Sequence, residues 1–252
     1  MKINDIFHKP TRNTLKIIIA ILSTAIIVLA LLFLNKNYPS LFNDFFQSSS
    51  STATESSAQP IKNGPTVIID AGHGGWEPGA GKGSINEKDI VLDISLEIEK
   101  RLKEKNIDYY MIRNDDTYVS LEDRVKIANE KACKLFVSIH NNSFTDSAQG
   151  GILTTYNPSS PIGKDIAEIM QSKISDIGMR NREVVPRPNL YVLRYTNMPS
   201  ILLEIGFISN KKDLKLLTDA SFQRKCADRI VLGIEEIVSK YITDAAENSA
   251  EN

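Results

Sequence analysis

Residues 66–75 read TVIIDAGHGG, an unbroken apolar run that passes directly into a glycine-rich turn containing a histidine. Residues 135–142, LFVSIHNN, place His140 after a second apolar run, and residues 201–207, ILLEIGF, do the same with Glu204. Short apolar runs without alternation are typical of strands buried on both faces of a sheet. In open α/β sheets, ligands and catalytic groups collect beyond the carboxyl ends of the strands. Two imidazoles and a carboxylate at one sheet edge therefore predict a hydrolytic metal site.

The order of apolar runs and helical periodicities predicts the fold class. Runs of strand type alternate with runs of helix type, the pattern of an α/β sheet with crossover helices. We predict helices over residues 86–105, 162–177 and 221–241, a capped helix after Ser120, and a short strand at residues 190–193 within a long loop. The expected fold is a single three-layer α/β domain with a mostly parallel central sheet and helices on both faces, preceded by a transmembrane helix.

An 18-residue apolar stretch lies near the N-terminus, at residues 17–34, interrupted only by Ser23 and Thr24. At about 1.5 Å per residue it reaches roughly 27 Å, enough for the core of a bilayer. Four basic residues precede it and one follows closely, so the positive-inside rule predicts a cytoplasmic segment, 1–16, and a catalytic domain outside the cytoplasm. A cleaved signal peptide is the alternative, but its apolar region is shorter and ends in a small-x-small site, which this stretch lacks. We expect a single-pass anchor in the cell membrane.

The remainder divides by composition into a tether, a domain and a tail. Residues 35–63 are rich in serine and are expected to form a flexible linker. The fold is expected at residues 64–243, followed by a polar tail, 244–252. The first 63 residues hold six of the 30 basic and three of the 31 acidic residues, which leaves 24 and 28 and a formal net charge of −4. This charge gives no basis for a nucleic-acid partner.

Cys133 and Cys226 are the only cysteines, and they lie far apart in the sequence. A disulfide is compatible with a location outside the cell, but two cysteines do not make a disulfide scaffold. Cys226 shares a helical apolar face with Phe222 and Ile230, which favours a buried thiol.

His73 and His140 are the only histidines after residue 63. A single histidine beside glycines is more often a turn or capping residue than a ligand. Here Gly72, Gly74 and Gly75 free the backbone around His73, and His140 has the same placement on a second strand. Together the two histidines predict imidazole ligation of a metal ion.

Glu87 is the candidate for the third ligand, because a hydrolytic zinc site takes three protein ligands and leaves one position for water. It precedes Ile90 and Val91 by three and four residues and so shares the buried stripe of its helix. A carboxylate on that face must be paired or metal-bound. The alternative, a first-turn glutamate favoured by the helix dipole, explains the position along the helix but not the face.

Glu204 lies between Ile-Leu-Leu and Ile-Gly-Phe, so its carboxylate is expected to be largely desolvated. Desolvation raises the pKa of a carboxyl group towards the range of a useful general base. The alternative is a salt bridge within the sheet to Arg113, Arg187 or Arg194.

Four motifs stand in order in the chain: DAGHGG at 70–75, INEKD at 85–89, SIHNN at 138–142 and PSILLEIGFISN at 199–210. With them the sequence resembles the zinc-dependent N-acetylmuramoyl-L-alanine amidases over roughly residues 66–242. These cell-wall hydrolases cut the amide between the lactyl group of muramic acid and the L-alanine of the stem peptide. The resemblance implies peptidoglycan as the substrate, and the apolar stretch at residues 17–34 makes the cytoplasmic membrane the second expected partner.

By this resemblance His73, Glu87 and His140 hold one zinc ion, and Glu204 is the catalytic glutamate. The implied chemistry is that zinc polarises the lactyl carbonyl and lowers the pKa of bound water from about 15.7 to about 7. Glu204 takes the water proton and then protonates the departing amine.

Three further residues are compared with the family pattern, and two are candidates on other grounds. Arg124 matches an arginine of structural role. Ala71 stands where many members have proline, a benign change in a turn. Leu153 stands where some relatives carry an acidic residue, which leaves the substrate contacts of that strand open. Asn142 and Arg194 are the candidates for contact with the substrate.

Two other functions are weighed against this one. A zinc peptidase or polysaccharide deacetylase would keep the metal and change the bond, but the chain has no His-Glu-x-x-His helix. A non-catalytic wall-binding or scaffold module on a membrane stalk would not need a metal site with an open position. Cell separation, sporulation and germination all fit a tethered amidase. No sequence motif indicates a protein activator or inhibitor.

Overall fold

The computed structural model describes residue 36 and residues 64–243. The predicted membrane anchor and polar tail lie outside these residues, as does the predicted linker apart from Lys36. Among the described residues, no helix combines the length and apolarity that a membrane span requires.

Strands and helices alternate along residues 64–243. The strands are β1 (Val67–Ala71), β2 (Gly81–Lys82), β3 (Ile85–Asn86), β4 (Tyr109–Met111), β5 (Leu135–Asn142), β6 (Ile152–Tyr156), β7 (Asn181–Pro186) and β8 (Ser200–Phe207). The helices are α1 (Glu87–Glu104), α2 (Leu121–Lys131), α3 (Gly163–Ile174), α4 (Tyr191–Tyr195), α5 (Lys211–Leu217) and α6 (Ala220–Val238), which a π-helical turn, Ser239–Thr243, extends.

Six of the strands form one sheet in the order β4-β1-β5-β8-β6-β7. The pairings of β1 with β4, β1 with β5, β5 with β8 and β6 with β7 are parallel, and β6 pairs with β8 antiparallel. The sheet is therefore mostly parallel, as predicted, with its last two strands running opposite to the other four.

Helices cover both faces of this sheet, which confirms the predicted α/β layering. Alternate residues of β1, such as Val67 and Ile69, pack with α1, α3 and α6 in the larger core cluster. Ile68 and its counterparts Phe136 and Leu202 pack on the other face with α2 and α4. The apolar runs of β1, β5 and β8 supply both clusters because successive side chains of a strand point to opposite faces.

The segment from residue 181 to residue 195 differs from the prediction. Residues 181–186, expected to be loop, form the edge strand β7, where Pro186 is tolerated at the strand end. Residues 190–193, expected to be a short strand, belong to a helical turn in which the Leu193 and Arg194 amides donate to Leu190 O. An apolar run of this length does not distinguish strand from helix by periodicity.

The two thiols are buried and free, as expected for Cys226. Cys133 belongs to the smaller core cluster and Cys226 to the larger one, so they lie on opposite faces of the sheet and cannot form a disulfide within one chain. Burial raises the pKa of each thiol to about 12. Neither cysteine is placed as a nucleophile.

Candidate metal centre

Three candidate ligands from separate parts of the chain meet at one point. His73 follows β1, Glu87 begins α1, and His140 lies in β5. Glu87 Oε1 is 3.2 Å from His73 Nε2 and 2.9 Å from His140 Nδ1, and the three ligand atoms lie within 4.8 Å of one another. The two imidazole rings meet edge to face, with centroids 4.9 Å apart. The structure thus brings together the three residues that the sequence predicted.

Glu87 is buried at the start of α1 and faces the histidines, as its shared stripe with Ile90 and Val91 predicted. Its carboxylate also accepts the amide protons of Ala80 and Asn141, each at 2.9 Å. Burial alone would raise the pKa of Glu87, but the hydrogen bonds to His140 and His73 outweigh it and hold the pKa well below its usual range. The group is therefore an anion with two imidazole neighbours.

His73 adopts a backbone conformation that is uncommon outside glycine, with φ of 57°. Such local strain is concentrated at functional sites. At Gly72 a Cβ would lie 2.3 Å from His140 Cε1. A Cβ at Gly79 would lie 2.6 Å from His73 Cδ2 and 2.7 Å from Glu87 Oε2. Both glycines therefore let the main chain approach the candidate ligands closely.

Two buried arginines hold the turn after β1. Arg124, on α2, donates to the Asp70 carboxylate, to Ala71 O at 2.7 Å and to His73 O at 2.6 Å. Arg113 donates to Ala71 O at 2.9 Å and to Gly72 O at 2.7 Å. These bonds satisfy the carbonyl groups of the turn that presents His73. The role of Arg124 agrees with its expected structural function, whereas the contribution of Arg113 had no signal in its local sequence.

The donor set fits a zinc ion of the catalytic type. Two imidazole nitrogens and one carboxylate oxygen form a three-ligand set that leaves one position for water. The side chains of His73 and His140 are 21% and 22% exposed, so the cluster is open on one side. His73 Nδ1 is buried and has no hydrogen-bond partner among residues 64–241, although a Glu77 oxygen lies 3.6 Å away.

Glu204 stands next to the cluster because β8 pairs with β5 in a register that puts Glu204 opposite His140. Residues paired in register on neighbouring strands point to the same face of the sheet, and such strands lie about 4.8 Å apart. The side chains of Glu204 and His140 are therefore neighbours on one face. Glu204 Oε2 is buried, and none of the described residues offers it a hydrogen bond. Burial raises the pKa of Glu204, the Glu87 anion adds to the rise, and the charges of His140 and Arg187 oppose it.

A cleft of about 430 Å³ opens beside Glu204. Leu153 and Thr155 of β6 contribute to its lining, as do Asn142 and the loop residue Arg187. Leu153 pairs in register with Glu204 and places an apolar side chain beside the carboxylate.

The predicted contact residues differ in their relation to this cleft. Asn142 lines it. Arg194 does not belong to its lining, and the Arg194 guanidinium instead lies 5.4 Å from the ring centroid of Tyr195.

The three arginines proposed as salt-bridge partners of Glu204 do not pair with it. Arg113 donates its hydrogen bonds to the turn after β1. Within residues 64–241, neither Arg187 nor Arg194 forms an ion pair with Glu204. The alternative role of Glu204 as a salt-bridge partner is not realised in the described part of the chain.

Comparison with known proteins identifies the family. Residues 67–236 match the family model described as N-acetylmuramoyl-L-alanine amidase. The chain belongs to the N-acetylmuramoyl-L-alanine amidase family. A solved amidase of this family from Clostridium difficile 630 is 34% identical, with a TM-score of 0.68 over 71% of this chain and 99% of that one. The CwlD amidase of Clostridioides difficile, solved in complex with the GerS lipoprotein, is 35% identical, with a TM-score of 0.67 over 69% of this chain and 98% of that one.

Curated relatives of this amidase chain differ in length. YqiI of Bacillus subtilis, described as uncharacterized, is 41% identical over 71% of this chain and 86% of its own length. The N-acetylmuramoyl-L-alanine amidase LytC of the same organism is 35% identical over 69% of this chain, and the matched part is 36% of LytC. The chain thus spans most of YqiI and about a third of LytC.

Proposed function

We propose that the chain hydrolyses the amide between the lactyl group of N-acetylmuramic acid and the L-alanine of the stem peptide, with one zinc ion held by His73, Glu87 and His140. Membership of the amidase family supports the activity. The observation that carries the mechanism is the meeting of two imidazoles and a buried carboxylate within 4.8 Å, next to a buried Glu204 oxygen that no described residue hydrogen-bonds.

The residues of the chain have separate tasks in this reaction. Zinc, when bound, supplies Lewis-acid polarisation of the carbonyl and lowers the pKa of water to about 7. Glu204, adjacent to His140 in the sheet register, removes the proton of the attacking water and delivers it to the leaving amine. Leu153 and the surrounding core limit solvent around Glu204 and so keep its basicity high.

The activity is tested by digesting purified peptidoglycan with the full chain and analysing the products by mass spectrometry. We expect stem peptides with a free L-alanine amine and glycan strands with a free lactyl carboxylate. Cleavage within the stem peptide would indicate a peptidase, loss of acetyl groups a deacetylase, and unchanged polymer a non-catalytic wall-binding module.

Zinc binding is expected at one ion per chain, and His73→Ala is expected to abolish stoichiometric binding, because the remaining imidazole and carboxylate form an incomplete set. Elemental analysis of the detergent-solubilised full chain measures the ratio. His8→Ala is the matched control, since His8 is the third histidine of the sequence and is not a candidate ligand. Equal zinc in the His73→Ala and parent proteins would remove His73 from the ligand set.

We further propose that residues 17–34 anchor the enzyme in the cell membrane, with the catalytic domain outside the cytoplasm. Their apolar length and the preceding basic residues support this. A flexible linker of about 30 residues has an r.m.s. span of roughly 5–6 Å × √30, or about 30 Å. Hydrolysis is then confined to wall close to the membrane.

The membrane proposal predicts that the native protein fractionates with membranes and retains its N-terminal segment. N-terminal sequencing of the protein from fractionated cells measures both properties. A soluble mature form that begins near Asn35 would identify residues 17–34 as a cleaved signal peptide and end the confinement argument.

A further inference from the structure

A cationic side chain stands in the cleft beside Glu204, and no acidic side chain in the described part of the chain pairs with it. Arg187 lines this cleft together with Glu204 and Asn142. Arg187 is exposed, and no ion pair within residues 64–241 includes it. Its positive charge acts on the Glu204 carboxylate, so the two groups are electrostatic neighbours although they do not bond. An unpaired guanidinium at this position is suited to an anionic group of a bound molecule.

The loop that carries Arg187 is fixed in place. Pro186 and Pro188 flank the arginine, and each ring restricts its own φ, while Pro188 also keeps Arg187 out of the helical region. The Arg187 amide donates to Tyr156 O at 2.8 Å, where β6 ends. A side chain on such a loop binds a ligand at a smaller cost in backbone entropy than one on a flexible loop.

We infer that Arg187 forms a subsite for a carboxylate of the stem peptide, an inference that rests on the proposed amidase function. Stem peptides carry an acidic residue after L-alanine, and its α-carboxyl group occurs as a free carboxylate or as a carboxamide. One extended residue spans at most about 3.6 Å, so this group stays close to the scissile amide and to Glu204. The same cleft presents Leu153 and Leu190 as apolar surface for the alanine methyl group.

The subsite distinguishes the two forms of the second residue. A guanidinium binds a carboxylate through two parallel N–H···O bonds, whereas a carboxamide offers one acceptor oxygen and a pair of N–H groups that face the cation unfavourably. The expected result is a preference of the enzyme for the free acid over the amide. Arg187 is thus a specificity-determining residue on the peptide side of the reaction.

The test pairs two substrates with two forms of the enzyme. The substrates are muramyl peptides that are identical except for a carboxylate or a carboxamide on the second residue. For the full-length, metal-loaded chain, we expect Arg187→Gln to lower kcat/KM on the carboxylate substrate by about 10- to 100-fold, mainly through KM. On the carboxamide substrate the change should stay below about threefold. Arg187→Lys, which keeps the charge and loses the bidentate geometry, should give an intermediate effect.

A binding measurement separates recognition from turnover. In the Glu204→Gln background, calorimetry with the intact carboxylate substrate should show an affinity about 10- to 100-fold weaker when Arg187→Gln is added. The carboxamide substrate serves as the internal control for folding, because a misfolded variant would lose both substrates alike. Arg194→Gln tests the other arginine that the sequence offered for substrate contact. Arg194 lies outside the cleft lining, so this variant should bind both substrates as the parent does.

The possible outcomes lead to separate conclusions. Selective loss of the carboxylate substrate in Arg187→Gln supports the subsite. Equal loss of both substrates, no loss of either, or selective loss in Arg194→Gln instead would overturn it. In each of these cases the parent still cuts both substrates between the lactyl group and L-alanine. Failure of the parent to cut that bond in either substrate would instead refute the proposed function itself.

Discussion

Glu204→Gln is expected to retain the fold and the zinc ion while its turnover falls by about 10²- to 10⁴-fold. Glutamine preserves the size and shape of the side chain but cannot accept the water proton. Glu204 is not one of the three ligands that lie within 4.8 Å of one another, so the metal content should not change. Glu204 Oε2 is buried, and within residues 64–241 Glu204 forms no ion pair, so removing its negative charge breaks none there.

The measurement is kcat/KM on a muramyl peptide together with zinc content and the thermal midpoint of each protein. Glu130→Gln is a matched control, because Glu130 lies on the exposed face of α2, where it forms a 4.0 Å ion pair with Lys126. Its rate should equal that of the parent. A rate for Glu204→Gln within about threefold of the parent would mean that Glu204 is structural and that another group moves the proton.

Arg124→Ala is expected to lower the free energy of unfolding by about 3–5 kcal/mol, the cost of breaking a buried ion pair from one side. Arg124 and Asp70 are 2% and 0% exposed, so the Asp70 anion would remain buried without its cation. Ser138 Oγ, which donates to the other Asp70 oxygen at 2.8 Å, cannot replace the lost charge. The carbonyl group of His73 also loses a donor, so weaker zinc binding should accompany the loss of stability.

Urea unfolding of the parent and the variant gives the free-energy difference. Lys126→Ala on the same helix is the control, since its exposed ion pair with Glu130 contributes about 1 kcal/mol or less. The double variant Asp70→Asn/Arg124→Ala should cost less than the sum of the two single changes, because removing both charges removes the uncompensated anion. Additive effects would show that Arg124 acts through its carbonyl contacts alone.

The core and the candidate chemistry of this protein follow from local patterns in the amino-acid sequence. The apolar runs before His73, His140 and Glu204 became β1, β5 and the middle of β8, and the stripe that contains Glu87 became the buried face of α1. Strand and helix periodicities are local properties of the chain, so they indicate burial and facing without knowledge of the tertiary contacts. The ends of such elements then indicated which polar side chains would meet at one place.

The direction of strand pairing, and the contacts that depend on it, emerge only in the folded domain. β6 and β7 run opposite to the other strands of the sheet, and this reversal brings the Arg187 loop beside Glu204. The sequence offered Asn142 and Arg194 as candidates for contact with the substrate, and of the two, Asn142 lines the cleft. Arg187 had no such signal, because no local pattern encodes which distant strand becomes a neighbour. The left-handed conformation of His73 and the bonds from Arg113 to the turn after β1 likewise depend on partners more than 40 residues away in the chain. Pairing direction and such long-range contacts come from the packing of the whole domain, which has no local signature in the sequence.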